Sequence, residues 1–171
     1  MSKPTTYQDF TQAIGEMTVA FQELEGFLLC LFALLNNQQD QRAGHIIGSK
    51  LSFRNLTEIT GALVKHRVND KNITEGISEL LKKMAALEHE RNTYIHSFYP
   101  TFCFGDSTEV LGRFKHKINK NTGYALHCDD ADAEKVRGLA FECNSCIREL
   151  LELTEELSRG HGISTRKPLE E

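Results

Sequence analysis

A chain of 171 residues, 40% of them hydrophobic, is long enough to bury one sizeable core. Its formal charge of −4 excludes a uniformly basic protein that coats nucleic acid, but it allows a local basic patch. The five cysteines are scattered and odd in number, which favours a reducing cytoplasm over a disulfide framework, and the polar start of the chain predicts no signal peptide.

The first predicted helix begins near Thr5 or Asp9 and ends at about Asn36. Apolar residues at spacings of three and four predict a core-facing seam, and a second apolar row widens it. The seam is Phe10, Ile14, Met17, Phe21, Leu24, Leu28, Leu31 and Leu35, and the second row is Ala13, Ala20, Phe27 and Leu34. So wide a surface either packs within its own bundle or, around residues 27–35, also contacts a second subunit. That segment is about half the length of a membrane span, so we predict no membrane attachment.

Turn signals divide residues 37–100 into three predicted helices. A short helix is predicted over about 40–47 and is closed by Gly48, and a third helix runs from a Ser52 cap to about Arg67. A fourth begins at an Asn72 or Thr74 cap and stops before Pro100. Its inward stripe is Ile77, Leu80, Met84 and Leu87.

The residues after Pro100 alternate between apolar and polar side chains, which predicts a β-hairpin with strands at about 108–118 and 124–128. Arg113, Lys115 and Lys117 share one side of its first strand. These cations either keep an exposed sheet edge soluble or contact the phosphate backbone of a nucleic acid.

The last helix is predicted to start at an Asp129 or Asp130 cap, helped by Asp132, and a polar tail follows from about residue 158. Cys143 and Cys146 lie in mid-helix, where paired thiols act as small core residues, so we predict no metal site and no cofactor. The chain as a whole is predicted to be one all-α domain over 1–171, an up-and-down bundle of four to five helices with a β-hairpin inserted before the last helix.

The fourth helix becomes polar where its apolar stripe should continue. The next position of the stripe is Arg91, a permanent cation that is rarely buried without an anionic partner. The ridge of the helix beside Arg91 carries Glu88, Asn92 and His96, which follow one another at four-residue spacing. Arginine suits a phosphate, and histidine exchanges a proton near neutral pH. A solvated helix end is the simpler interpretation of the same residues.

The segment from Arg91 to His96 resembles the R-x-x-x-x-H motif of the HEPN superfamily, and an Asn follows the Arg as it often does in that family. The resemblance implies a homodimer whose two motif helices line one cleft, and metal-independent RNA cleavage by attack of the 2′-hydroxyl. It implies that Arg91 stabilises the charged phosphorane, that His96 transfers a proton or orients the hydroxyl, and that Asn92 orients the phosphate or His96. Further substrate contacts are predicted at Glu88, Ser97, Tyr99, Arg113, Lys115 and Lys117.

Toxin members of the superfamily often carry Tyr two residues beyond the His, whereas this chain has Phe98 there and Tyr99 one residue later. The resemblance therefore implies a ribonuclease, in a toxin or defence role with a cognate antitoxin or regulator, whose link to the toxin branch is weakened at this position. The alternative is a non-catalytic HEPN-like dimer that serves as a scaffold or as a regulatory, nucleotide-binding module. A metal-dependent hydrolase that uses acidic residues of the last helix ranks third.

Overall fold

The computed structural model describes residues 6–36, 40–104, 108–119 and 123–159, without the side chains of 102–104, 108–110, 117 and 119. Within these residues lie five helices and one antiparallel sheet, so the predicted all-α class with an inserted hairpin is confirmed. The elements are α1 Tyr7–Asn36, α2 Gln41–Gly48, α3 Phe53–Arg67, α4 Lys71–Ile95, β1 Thr101–Phe104, β2 Thr108–Asn119, β3 Gly123–Asp130 and α5 Ala133–Ser158. The predicted loop at 105–107, the hairpin tip around Lys120 and the tail from 160 onward lie outside the described residues.

Side-chain caps set where the helices begin. The Ser52 cap is confirmed, because its hydroxyl accepts the backbone N–H of Asn55. The predicted caps of α4 and α5 were wrong. Asp70 accepts the N–H groups of Asn72 and Ile73, and Asp132 caps α5 because Asp129 and Asp130 still belong to β3.

The sheet has the order β1-β2-β3, and β1 was not predicted. Phe98 and Phe114 exchange two backbone hydrogen bonds of 2.8 Å, which extends the pairing of β1 with β2 back towards α4. The hairpin β2–β3 runs in register from Gly112 opposite Asp130 to Asn119 opposite Gly123. Gly123 has a φ of +78°, which a residue without a Cβ adopts at little cost. The strand rich in Arg and Lys is therefore the central strand of the sheet.

The chain divides into two compact units whose boundaries fall inside α1, α4 and α5. The helical unit comprises Phe21–Glu88 with Cys143–Glu171, and the sheet unit comprises Met1–Ala20 with His89–Glu142. The sequence-based interpretation of the chain as a single domain stays a prediction.

In the helical unit, the short helix α2 packs closely on α1. A Cβ placed on Gly44 would lie 2.6 Å from the Cα of Ala33, and one on Gly48 would overlap Leu29 and Phe32. Gly48 is thus a buried contact residue, and the predicted role as a helix-closing cap is wrong because Ser49 is the C-cap. Part of the wide apolar surface of α1 is therefore used inside this unit.

The sheet unit has a smaller apolar core, and the cations of its ion pairs are partly buried. Phe10 packs against Tyr99 with ring centroids 4.7 Å apart. Arg137 of α5 forms ion pairs with Asp9, Glu16 and Glu134. The buried apolar residues of this unit include Ala13, Met17, Leu111, Ala133, Val136 and Ala140.

Among the described helices, α1 is the one that is long and apolar enough to span a bilayer by length and composition. The same test is passed by the core helix of a soluble protein and by a signal sequence. Leu24, Leu28 and Leu31 of α1 are fully buried within the fold. Part of the apolar surface of α1 is therefore buried in the fold.

Candidate functional site

The three residues of the predicted motif lie within two turns of chain at the C-terminal end of α4, with His96 one residue beyond the helix. Arg91 and Asn92 are both half-buried, and Nη1 of Arg91 donates a 2.9 Å hydrogen bond to Oδ1 of Asn92. This bond fixes the guanidinium and the amide beside each other. A cation and a neutral donor–acceptor pair held in this way can bind two oxygens of one anion.

His96 lies just beyond the last helical residue, and its side chain is exposed. The backbone turn continues through it, because its N–H bonds to the carbonyl of Asn92 at 3.3 Å. The hydroxyl of Ser97 closes the turn by donating to the carbonyl of Thr93 at 2.6 Å. The imidazole is therefore open to solvent or to a substrate, while the backbone that carries it is fixed.

Tyr99 is held from both ends of its side chain. Its hydroxyl donates a 2.7 Å hydrogen bond to the carbonyl of Tyr94, and its ring packs on Phe10. Burial raises the pKa of Tyr99 to about 12, against smaller opposing effects of Ser97 and Arg113. The hydroxyl is thus neutral over the physiological range, and it anchors the segment after α4 to the last turn of the helix.

Arg113 of β2 faces the end of α4. Its side chain is only 14% exposed, forms an ion pair with Asp129 through Nη2, and lies with Cζ 5.3 Å from the ring centroid of Tyr94. Burial raises the pKa of Tyr94, and the charge of Arg113 partly offsets this. Nη1 of Arg113 is buried and has no hydrogen-bond acceptor among the described residues. This guanidinium therefore keeps an unused donor close to the motif helix.

Lys115 lies two residues further along β2 on the same face, and its Nζ is 3.4 Å from Oγ1 of Thr93. Arg113 and Lys115 thus approach two successive residues of the motif segment. The first of the two predicted roles, an exposed sheet edge kept soluble, is wrong for both residues because β2 is the central strand. The side chain of Lys117 lies outside the described residues.

The predicted site residues divide into two groups. Arg91, Asn92, Ser97 and Tyr99 are half-buried around the end of α4, where Arg113 and Lys115 approach, and His96 is exposed beside them. Glu88 is also half-buried, but it is the last α4 residue of the helical unit.

Sequence reasoning missed the contacts made by Thr93, Tyr94 and Asp129. The period-two pattern of β2 predicts that Arg113 and Lys115 share a face. The pattern does not reveal which element this face covers. The position of the face depends on β1, which follows the end of α4 and pairs with β2 beside it.

No group of three or more His, Cys, Asp or Glu side chains arranged to hold a metal ion occurs in the part of the chain that the structure describes. No family model, no curated protein and no solved structure matches this chain.

Proposed function

We propose that this protein is a metal-independent endoribonuclease that binds an RNA phosphate at the end of α4. The observation that carries the proposal is a half-buried Arg91–Asn92 pair beside the exposed imidazole of His96. Lys115 approaches the same helix segment from β2 and adds a positive charge, while Arg113, paired with Asp129, keeps one donor close to it. A fixed cation, an accessible proton carrier and flanking cations are the groups that phosphodiester cleavage needs.

In the proposed reaction the RNA 2′-oxygen forms a bond to the adjacent phosphorus, and the bond from phosphorus to the 5′-oxygen breaks. His96 takes the proton of the 2′-hydroxyl, and a second proton donor, His96 of a second copy or water, protonates the leaving 5′-oxygen. The products are a 2′,3′-cyclic phosphate and a 5′-hydroxyl, so atoms and charge balance without a metal.

The proposed role of Arg91 follows from where charge develops. The equatorial oxygens of the phosphorane gain negative charge in the transition state, and a guanidinium already held by Asn92 needs little reorganisation to stabilise it. Arg113 and Lys115 would contact neighbouring phosphates, which supplies affinity without sequence preference. Tyr99 supports the backbone and takes no part in proton transfer, since its pKa is about 12.

The test is RNA cleavage by the purified protein in EDTA, beside Arg91→Ala and His96→Ala. We expect each variant to lose about two orders of magnitude or more in rate, because one removes a proton carrier and the other a charge stabiliser. His89→Ala is the matched control, since this exposed histidine lies on the same helix outside the motif. Cleavage that survives in either motif variant contradicts the proposal.

The second candidate, a non-catalytic dimer with a scaffold or regulatory role, gives a different result in the same assay. It predicts no cleavage by the unmodified protein and a dimer that both alanine variants retain. A metal-dependent hydrolase predicts that EDTA abolishes cleavage.

We also propose a cytoplasmic setting, with RNA as the substrate and a cognate antitoxin or regulator as the partner in a toxin or defence role. The odd number of cysteines in the chain, five in all and scattered along it, supports a reducing compartment. Expression of the unmodified chain should arrest growth of a bacterial host, and expression of His96→Ala should not.

A further inference from the structure

One face of the β2–β3 hairpin carries a histidine that the proposed reaction leaves unused. His127 of β3 lies directly opposite Lys115 of β2, and its side chain is exposed. Residues opposite each other in an antiparallel pair project from the same face of the sheet, with Cβ atoms about 4.5–5.5 Å apart. His127 therefore projects beside Lys115 from the face that approaches the end of α4.

Lys115 connects His127 to the motif on α4. The Nζ of Lys115 lies 3.4 Å from Oγ1 of Thr93. Thr93 and His96 are three residues apart, and the backbone turn continues through them, because the N–H of His96 bonds to the carbonyl of Asn92. Side chains at this spacing are neighbours on the surface of a helix. Lys115 therefore lies between His127 and the turn of chain that carries His96.

The other described histidines of the sheet unit, His89 and His116, lie elsewhere. His89 precedes His96 by about two turns of α4, which is roughly 10 Å along the helix axis. The alternation of β2 places His116 on the opposite face of the sheet, where its Nδ1 lies 2.7 Å from the hydroxyl oxygen of Tyr124. Among the described residues of this unit, His127 is thus the histidine on the sheet face that approaches α4.

We propose that His127 donates the proton to the leaving 5′-oxygen when this protein cleaves RNA, a role that rests on the proposed nuclease function. Attack by the 2′-hydroxyl needs a base at one oxygen and an acid at the other. His96 takes the proton of the 2′-hydroxyl. As the bond from phosphorus to the 5′-oxygen breaks, its electron pair stays on that oxygen, and the protonated imidazole of His127 donates a ring N–H to it. His127 becomes neutral and His96 becomes protonated, so the protons balance within one chain.

The position of Lys115 allows both histidines to act on the same phosphate. A lysine ammonium group is a compact point charge that binds phosphate oxygens. A phosphate bound by Lys115 is approached by His96 from α4 and by His127 from β3. Arg113, whose charge is paired with Asp129, contributes the unused Nη1 donor on the same face. The ligand of this face is therefore an RNA phosphodiester, and His127 takes the place of a second copy or of water as the acid.

The test compares two forms of one RNA that the unmodified protein cleaves in EDTA. In the second form sulfur replaces the 5′-oxygen at the cleaved bond, because a thiolate leaves without being protonated first. On the oxygen RNA we expect His127→Ala to be slower than the unmodified protein by about a hundredfold or more. On the sulfur RNA this loss should shrink to less than about threefold, whereas His96→Ala should remain slower by about a hundredfold or more on both RNAs.

His116→Ala is the matched control for the loss of an exposed imidazole. This histidine belongs to the same hairpin but projects from its opposite face. The variant should cleave both RNAs as fast as the unmodified protein does. His127→Gln keeps a hydrogen-bonding side chain that exchanges no proton, so it should show the same pattern as His127→Ala.

The outcomes separate this inference from the proposed function. Oxygen RNA cleaved at the full rate by His127→Ala overturns the inference and leaves the nuclease intact. An equal loss on both RNAs also overturns it, because His127 would then bind RNA or support the fold without donating a proton. No cleavage by the unmodified protein overturns both proposals. Should His127→Ala fail to fold by circular dichroism, His127→Gln decides in its place.

Discussion

The helical unit and the sheet unit hold their side chains by different means. In the helical unit the close contacts are apolar, as at Gly44 against Ala33 and Gly61 against Leu81. The sheet unit adds ion pairs with part-buried cations, Arg113 between Asp129 and Tyr94 and Arg137 among three carboxylates, whereas the described ion pairs of the helical unit join exposed side chains. Polar groups are retained in a partly buried position at a cost in desolvation. The comparison therefore directs the search for chemistry to the sheet unit, where the motif also ends.

The largest effect on stability is expected from a core truncation in the helical unit. Leu31→Ala removes a side chain that is fully buried and should lower the free energy of unfolding by about 2–5 kcal/mol. Urea denaturation followed by circular dichroism measures it. Leu151→Ala, at a position 41% exposed, should change stability by less than about 0.5 kcal/mol. Equal effects at the two positions would contradict the assigned core.

A smaller loss is expected where α2 approaches α1. Gly44→Ala places a Cβ 2.6 Å from the Cα of Ala33, so the helices must separate, at a cost of about 1–3 kcal/mol. Gly26→Ala is the control, because its Cβ would meet nothing within 4 Å. That variant should gain about 0.5–1 kcal/mol from helix propensity. A stabilised Gly44→Ala protein would show that α2 does not pack here.

The sequence predicts the helices well because their signals are local. The seam of α1 and the Ser52 cap are read from spacing and residue type over a few positions, and both appear in the structure. The caps of α4 and α5 were misassigned because several Asp, Asn and Thr residues compete within a short span, and only the backbone selects Asp70 and Asp132.

The candidate site is less predictable because its contacts join residues far apart in the chain. The motif Arg91–His96 is visible in the sequence, and so is the shared face of Arg113 and Lys115. This face covers Thr93 and Tyr94 because Phe98 pairs with Phe114. A two-residue bridge of this kind has no periodicity, so no pattern reveals it.

The contrast between the units can be sharpened with matched charge neutralisations. Asp129→Asn leaves the nearly buried Arg113 without its anionic partner and should cost about 1 kcal/mol, a modest figure because Asp129 itself is half exposed. Glu149→Gln breaks the solvent-exposed pair with Lys83 in the helical unit and should cost less than about 0.5 kcal/mol. Thermal unfolding of both variants in low and high salt provides the measurement. An equal loss in both would remove the distinction drawn between the units.

A further effect is expected only at alkaline pH. The pKa of Tyr99 rises from 10.0 to about 12 on folding, mainly through burial, so the folded state holds this proton more tightly than the unfolded state. The resulting stability is fully present below about pH 10 and is lost as the pH rises towards 12. Tyr99→Phe should flatten the decline in this range, and the exposed Tyr7→Phe should not. Unfolding curves between pH 8 and about pH 12 decide this, and identical slopes in both variants would refute it.

The central claim is that Arg91 and His96 act together on an RNA phosphate without a metal. The most direct measurement is the chemistry of the product ends after a defined RNA is incubated in EDTA. We expect 2′,3′-cyclic phosphate and 5′-hydroxyl ends, formed by the unmodified protein and by His89→Ala but not by Arg91→Ala or His96→Ala. Products with 5′-phosphate ends, or cyclic ends that persist in both motif variants, would contradict it.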